Sequence, residues 1–102
     1  MTDKDTALPE TTDEGRIVLL KNIMSASVEG YAARLDDWKR ATGIDHPECA
    51  HEICGRPATH GAMAIRAFSA DRKRYIYPAC ETCVRRTEML YVKGPLVVIN
   101  DK

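Results

Sequence analysis

The chain has 102 residues, 44% hydrophobic and 29% charged, with 15 basic and 15 acidic side chains and a formal net charge of zero. That composition fits one globular domain and excludes a disordered chain and a protein that coats DNA by bulk positive charge. The longest apolar runs, Ile17-Val18-Leu19-Leu20 and Leu96-Val97-Val98-Ile99, fall far short of the roughly 20 residues a membrane helix needs, so no membrane partner is expected.

Residues 1–14 carry Asp3, Asp5, Glu10, Asp13 and Glu14 against Lys4, and Leu8 is the only large apolar side chain after Met1. Burial there cannot offset the entropy of ordering. The stretch therefore reads as a flexible acidic tail, and residues 15–102 as a single domain. The polar start, Met-Thr-Asp-Lys-Asp, does not read as a signal peptide. The expected location is cytoplasmic, with the cysteines reduced or metal-bound.

Residues 16–24, Arg-Ile-Val-Leu-Leu-Lys-Asn-Ile-Met, suggest a strand buried on both faces, with a short helix as the alternative. Ser25 and Ser27 supply capping hydroxyls. Val28, Tyr31, Ala32, Leu35 and Trp38 then recur at three- and four-residue steps, one face of an amphipathic helix. Asp36 and Arg40 are spaced to pair on its solvent side. Gly43 is placed to stop it. Trp38 reads as a core anchor.

The cysteines form two close pairs, Cys49-x4-Cys54 and Cys80-x2-Cys83. A tetrahedral zinc site needs four such ligands, and a tight turn brings each pair within reach of one ion. Gly55 follows Cys54, where a metal-binding turn needs a permissive backbone. Two disulfides would demand an oxidising compartment. A redox Cys80-x-x-Cys83 would want a βαβ context and would leave the first pair unexplained. One structural Zn²⁺ held by Cys49, Cys54, Cys80 and Cys83 is the expectation. His46, His51 and His60 lie close enough in sequence to stand in for a cysteine, and each also reads as a surface or supporting histidine.

Between the pairs, residues 62–68 suit a strand, Ser69-Ala70-Asp71-Arg72 a turn, and 73–77 a second strand that Pro78 ends. Residues 80–90 then read as a short helix whose first turn carries Cys80 and Cys83, where free N–H groups favour thiolates. Zinc turn, hairpin and ligand-bearing helix, behind an N-terminal strand and helix, predict a small α+β domain of treble-clef type. Met89–Lys93 and Leu96–Ile99 look like closing strands. An exposed edge at Leu96–Ile99 would pair a second copy or a partner strand.

Zero net charge hides an asymmetry: residues 1–52 hold 11 acids and 6 bases, and residues 53–102 hold 9 bases and 4 acids. The candidate nucleic-acid contacts are Arg66, Arg72, Lys73, Arg74, Arg85 and Arg86, with Tyr75 and Tyr77 beside the hairpin turn. Strand alternation sets Lys73, Tyr75 and Tyr77 on one face and Arg74 and Ile76 on the other, and one of those faces must be core. A protein partner fits the bipolar charge equally well. Arg56, Arg85 and Arg86 are also placed to neutralise a metal–thiolate centre.

Ile17-Val-Leu-Leu-Lys-Asn-Ile, Leu35-Asp-Asp-Trp38-Lys-Arg-Ala-Thr-Gly43, the C-x4-C pair, Gly61-Ala-Met-Ala, Tyr75-Ile-Tyr-Pro-Ala-Cys80-Glu-Thr-Cys83 and Leu96-Val-Val together carry a resemblance. The chain is similar to small bacterial and phage proteins with a treble-clef zinc centre, related in layout to HNH-type nucleases. The resemblance implies a structural zinc centre in a treble-clef layout. Those proteins often read Gly-Ala-His in the first hairpin strand, where the third position here is Met63, whose thioether cannot act as a base. They often show His-Asn after the third cysteine, where this chain has Cys83 and Val84. The expectation is a non-catalytic zinc module binding nucleic acid or a protein, with a divergent metal-dependent nuclease using His60 or His51 as the alternative.

Overall fold

The computed structural model describes residues 10–23, 29–70 and 73–99, the side chains of 29–31 excepted. The capping serines, Val28, residues 1–9 and Arg72 lie outside the described residues. Among the described residues, six strands, β1 (Thr11–Thr12), β2 (Ile17–Asn22), β3 (His60–Arg66), β4 (Arg74–Ala79), β5 (Met89–Lys93) and β6 (Leu96–Ile99), accompany one helix, α1 (Glu29–Thr42). They form one antiparallel sheet in the order β1-β6-β4-β3-β2-β5. The fold is a small α+β domain.

β5 and β6 lie towards opposite ends of that order, yet only Gly94 and Pro95 separate them. The sheet therefore has to curl. Ala50 closes the gap: its N–H donates to Pro78 O at 2.8 Å, and its carbonyl accepts from Lys93 N at 2.9 Å. Side chains of one parity fill the concave side, including Leu20, Ala62, Ala64, Tyr75, Tyr77, Leu90, Val92, Leu96 and Val98. Those of the other parity on β4 and β6, Ile76 and Val97, pack against Trp38 of α1. The Trp38 ring N–H donates to Pro95 O at 3.0 Å, satisfying its one polar atom. Gly61 lets α1 sit this close, because a Cβ there would run into the backbone of Arg34 and Leu35. Gly43 ends α1 at φ +78°, its N–H bonded to Lys39 O at 2.8 Å, as the sequence predicts.

Several expectations change. The described part of the acidic tail is structured. β1 pairs with β6, the Val98 N–H reaches Glu10 O at 2.8 Å, Asp13 meets Arg66, and Glu14 bridges to Gly94. Main-chain pairing and one ion pair hold this segment, and neither shows in composition. β6 is therefore not an edge, being flanked by β4 and β1. The outer side of β5 is taken too, by Glu52 N–H to Tyr91 O and Lys93 N–H to Ala50 O. β2 is not buried on both faces, since Ile17 and Lys21 are exposed. Arg40 pairs with Asp37 at 2.6 Å rather than with Asp36.

The hairpin strands are His60–Arg66 and Arg74–Ala79, and the second runs through Pro78 instead of stopping at it. Pro78 offers its carbonyl to Ala50, on the side away from β3 and beyond the start of β6, so its missing N–H leaves the sheet ladder intact. The helix expected over 80–90 is a single 3-10 turn, Cys83–Arg85. The Cys83 carbonyl accepts the Arg86 N–H at 3.1 Å, Arg86 then turns extended and ends the turn, and the Asn22 side-chain amide donates to the carbonyls of Cys83 and Arg86. Among the described residues, no helix is long and apolar enough to cross a membrane.

Candidate metal centre

Two short turns build the site at one end of the β3–β4 hairpin. In the first, Cys49 N–H donates to Arg56 O at 2.6 Å and Cys54 N–H to His51 O at 3.0 Å. Gly55 follows at φ +79°, the left-handed conformation that glycine adopts freely. In the second, Cys80 leaves β4, Val84 N–H returns to Cys80 O at 3.0 Å, and the Cys83 N–H points at Cys80 Sγ, 3.4 Å away. The four sulfurs lie within 4.8 Å of one another, and Cys54 Sγ is 3.6 Å from Cys80 Sγ. A tetrahedron with ~2.3 Å metal–sulfur bonds has edges of about 3.8 Å. The four residues singled out by spacing thus converge on a volume that fits one ion.

The thiols cannot all ionise together without a cation. Burial pushes Cys49 up, against N–H groups of Cys80 and His51 that favour its thiolate. Burial also pushes Cys83 up, reinforced by the sulfurs of Cys80 and Cys49. Burial works to raise Cys80 as well, but N–H donors from Cys83 and Thr82 and thiol contacts with Cys83 and Cys54 outweigh it and bring it down to about 7. A divalent ion would resolve this conflict by paying the four thiolates with positive charge.

His51 is buried, and its Nδ1 lies 3.3 Å from Cys83 Sγ. Burial, then the charge of Arg86, hold the ring below the usual histidine range. His51 thus touches the sulfur cluster through Cys83 and stands outside the four-ligand set. His46 is exposed, and His60 Nδ1 contacts Thr59 Oγ1 at 2.6 Å; neither belongs to the cluster. A depression of about 330 Å³ borders the site, lined in part by Cys54, Arg56, Cys80, Thr82 and Arg86.

Asn22 was not marked by sequence reading as part of this site. It is buried, and its amide donates to Cys83 O and Arg86 O, both at 3.1 Å, while its carbonyl accepts from the Tyr77 hydroxyl. β2 is thereby tied to the second cysteine turn. The available signal was an asparagine within an apolar strand run, which needs partners once buried.

The basic residues do not form one surface. Arg66 donates to Asp13 at 2.5 Å and to the Tyr75 hydroxyl at 3.0 Å, and is half-buried at the far end of the hairpin with exposed Lys73 and Arg74 nearby. Arg85 pairs with Glu81 at 3.7 Å and Arg86 with Glu88 at 2.8 Å, both near the sulfurs. Six residues of β3, roughly 20 Å, separate the two groups. Tyr75 and Tyr77 are 2% and 0% exposed and belong to the core. Comparison with protein-family models, curated proteins and solved structures found no match for the chain.

Proposed function

We propose that the four cysteines hold one structural Zn²⁺ and that the chain is a non-catalytic binding module of treble-clef type. The observation that carries this reading is the convergence of four sulfurs from two separate turns within 4.8 Å. An all-sulfur tetrahedral set is the donor chemistry of closed structural zinc sites. Four thiolates and Zn²⁺ sum to a formal charge of −2. The Cys83 N–H, the His51 ring and Arg86 beside Cys83 are placed to offset it. A zinc turn, a hairpin and a second ligand pair in sequence support the treble-clef assignment; the 3-10 turn in place of a full helix is a departure from it.

Zinc would supply ~10–16 kcal/mol of apparent binding energy, comparable to or larger than the ~5–15 kcal/mol by which a domain is usually stable. The non-catalytic half of the proposal draws support from Met63, Cys83 and Val84, which occupy the positions where the resembling nucleases carry a base and metal-holding groups. Chelator titration with a colorimetric zinc indicator tests the reading. Zinc release should coincide with loss of tertiary structure, and plasmid should stay intact with Mg²⁺ or Mn²⁺ added. Plasmid cutting abolished by His60→Ala would overturn the non-catalytic assignment.

A further inference from the structure

The described aromatic side chains divide sharply. Trp38, Tyr75 and Tyr77 are at most 3% exposed, whereas Phe68 is 87% and Tyr91 57% exposed. The two exposed rings flank β2. Tyr91 lies opposite Leu19 on the β5 side, and Ala67 N–H bonds to Leu19 O on the β3 side, with Phe68 next in the chain. Phe68 holds φ +57°, a conformation that non-glycine residues adopt sparingly, and places its ring in solvent.

Tyr91 belongs to a wider face. α1 lies against β3, β4 and β6, and among the described residues nothing covers the convex side of β2 and β5. Three cross-strand pairs make up that side: Ile17 with Lys93, Leu19 with Tyr91, and Lys21 with Met89. Apolar groups run across its middle, and the lysines stand at opposite corners, roughly 13 Å apart along the strands. Among the described residues, Lys21 and Lys93 make no ion pair. Glu52, opposite Tyr91 at the outer margin, adds one carboxylate, which these two cations outnumber.

Resting on the binding-module reading above, we infer that this face binds single-stranded nucleic acid, with Tyr91 as a stacking surface, exposed Phe68 past the other side of β2 as a second, and Lys21 and Lys93 as phosphate contacts. Exposed ring faces bind bases that a duplex keeps stacked on one another, so a single strand is the matching ligand. Unpaired cations on both sides of Tyr91 complement a phosphate backbone running across the strands. Ile17 and Met89 would also suit an apolar protein surface, but such a partner leaves the corner cations unanswered.

The test is fluorescence anisotropy of the full-length, zinc-loaded chain with labelled oligothymidylate and oligouridylate of roughly 15 nucleotides, within the usual span of single-strand sites. Two phosphate contacts predict saturable binding that weakens about sevenfold between 50 and 200 mM salt. Tyr91→Ala and Phe68→Ala should each weaken it about tenfold. Lys21→Glu/Lys93→Glu should weaken it further and flatten the salt dependence. All these side chains are exposed, so unchanged circular dichroism and zinc content will confirm intact folds. Absence of binding at 50 mM salt, equal affinity in the aromatic variants, equal competition by polyglutamate, or burial of the face by self-association in sedimentation would each overturn the inference. Zinc measured in the same samples separates the two proposals: a chain without zinc that still binds oligonucleotide would sink the metal reading alone.

Discussion

Replacing Asn22 with alanine should cost roughly 2–3 kcal/mol of folding free energy. Its amide serves the carbonyls of Cys83 and Arg86 at 3.1 Å each, and its own carbonyl takes the hydroxyl proton of Tyr77, a residue with no exposure. Alanine strands the Tyr77 hydroxyl away from water, at about 1–3 kcal/mol for an orphaned group, and takes one of two donors from the Cys83 carbonyl, which keeps the Arg86 N–H at 3.1 Å. The Arg86 carbonyl lies on the part-buried side, where water replaces the lost donor at little cost. Against a total of ~5–15 kcal/mol, a loss of this size takes a large share of the stability. Urea unfolding of zinc-loaded protein, followed by Trp38 fluorescence, measures it. Tyr77→Phe alone should cost about 1–2 kcal/mol, since it strands only the Asn22 carbonyl. In the Asn22→Ala background the same change removes an orphaned hydroxyl, so the double variant should be no less stable than Asn22→Ala. A loss below about 1 kcal/mol for Asn22→Ala, or additive losses in the double variant, would refute the reasoning.

Gly61→Ala places a Cβ against the backbone of Arg34 and Leu35, which cannot rotate aside. α1 must shift off β3, and the melting temperature should fall by roughly 10 °C, as overpacking of ~2 kcal/mol implies; an unchanged melting temperature would contradict the close contact. Burial, opposed by the Asn22 hydrogen bond, raises Tyr77 well above tyrosine's usual value of 10. The unfolded chain loses that proton near pH 10 while the native state keeps it, so stability is intact below pH 10. Above it, stability falls by up to about 1.4 kcal/mol per pH unit. Tyr77→Phe should flatten this alkaline slope, and equal slopes in the two proteins would count against a buried, protonated Tyr77.

The cysteine set was legible because metal geometry constrains spacing: two short turns can present four sulfurs to one ion in few other ways. Leu35 and Trp38 on the inner face of α1 and its stop at Gly43 were legible because periodicity and a left-handed glycine act locally, whereas Ala32, read onto the same face, is exposed. What stayed hidden depends on pairing between distant segments. Thr11–Thr12 joins the sheet through β6, and no property of those two threonines announces it. Pro78 continues a strand because its missing donor faces Ala50, nearly thirty positions earlier in the chain. The helix expected after Cys80 stops at Arg85 where Arg86 becomes extended, and Asn22, from β2, bonds the carbonyls of that turn, a contact between distant segments. Tyr75 and Tyr77 were readable as alternating with Ile76, but which side of the strand was core depended on where α1 landed. The exposed pair, Phe68 and Tyr91, emerges only once the inner and outer sides of the curled sheet are known.

Metal content per chain, on protein purified without added metal and repeated on Cys80→Ser/Cys83→Ser, tests the central claim most directly. About one zinc per chain, lost in the double variant together with ordered structure around residues 44–90, is the predicted result. A metal-free chain with four titratable thiols and undiminished thermal stability would contradict it.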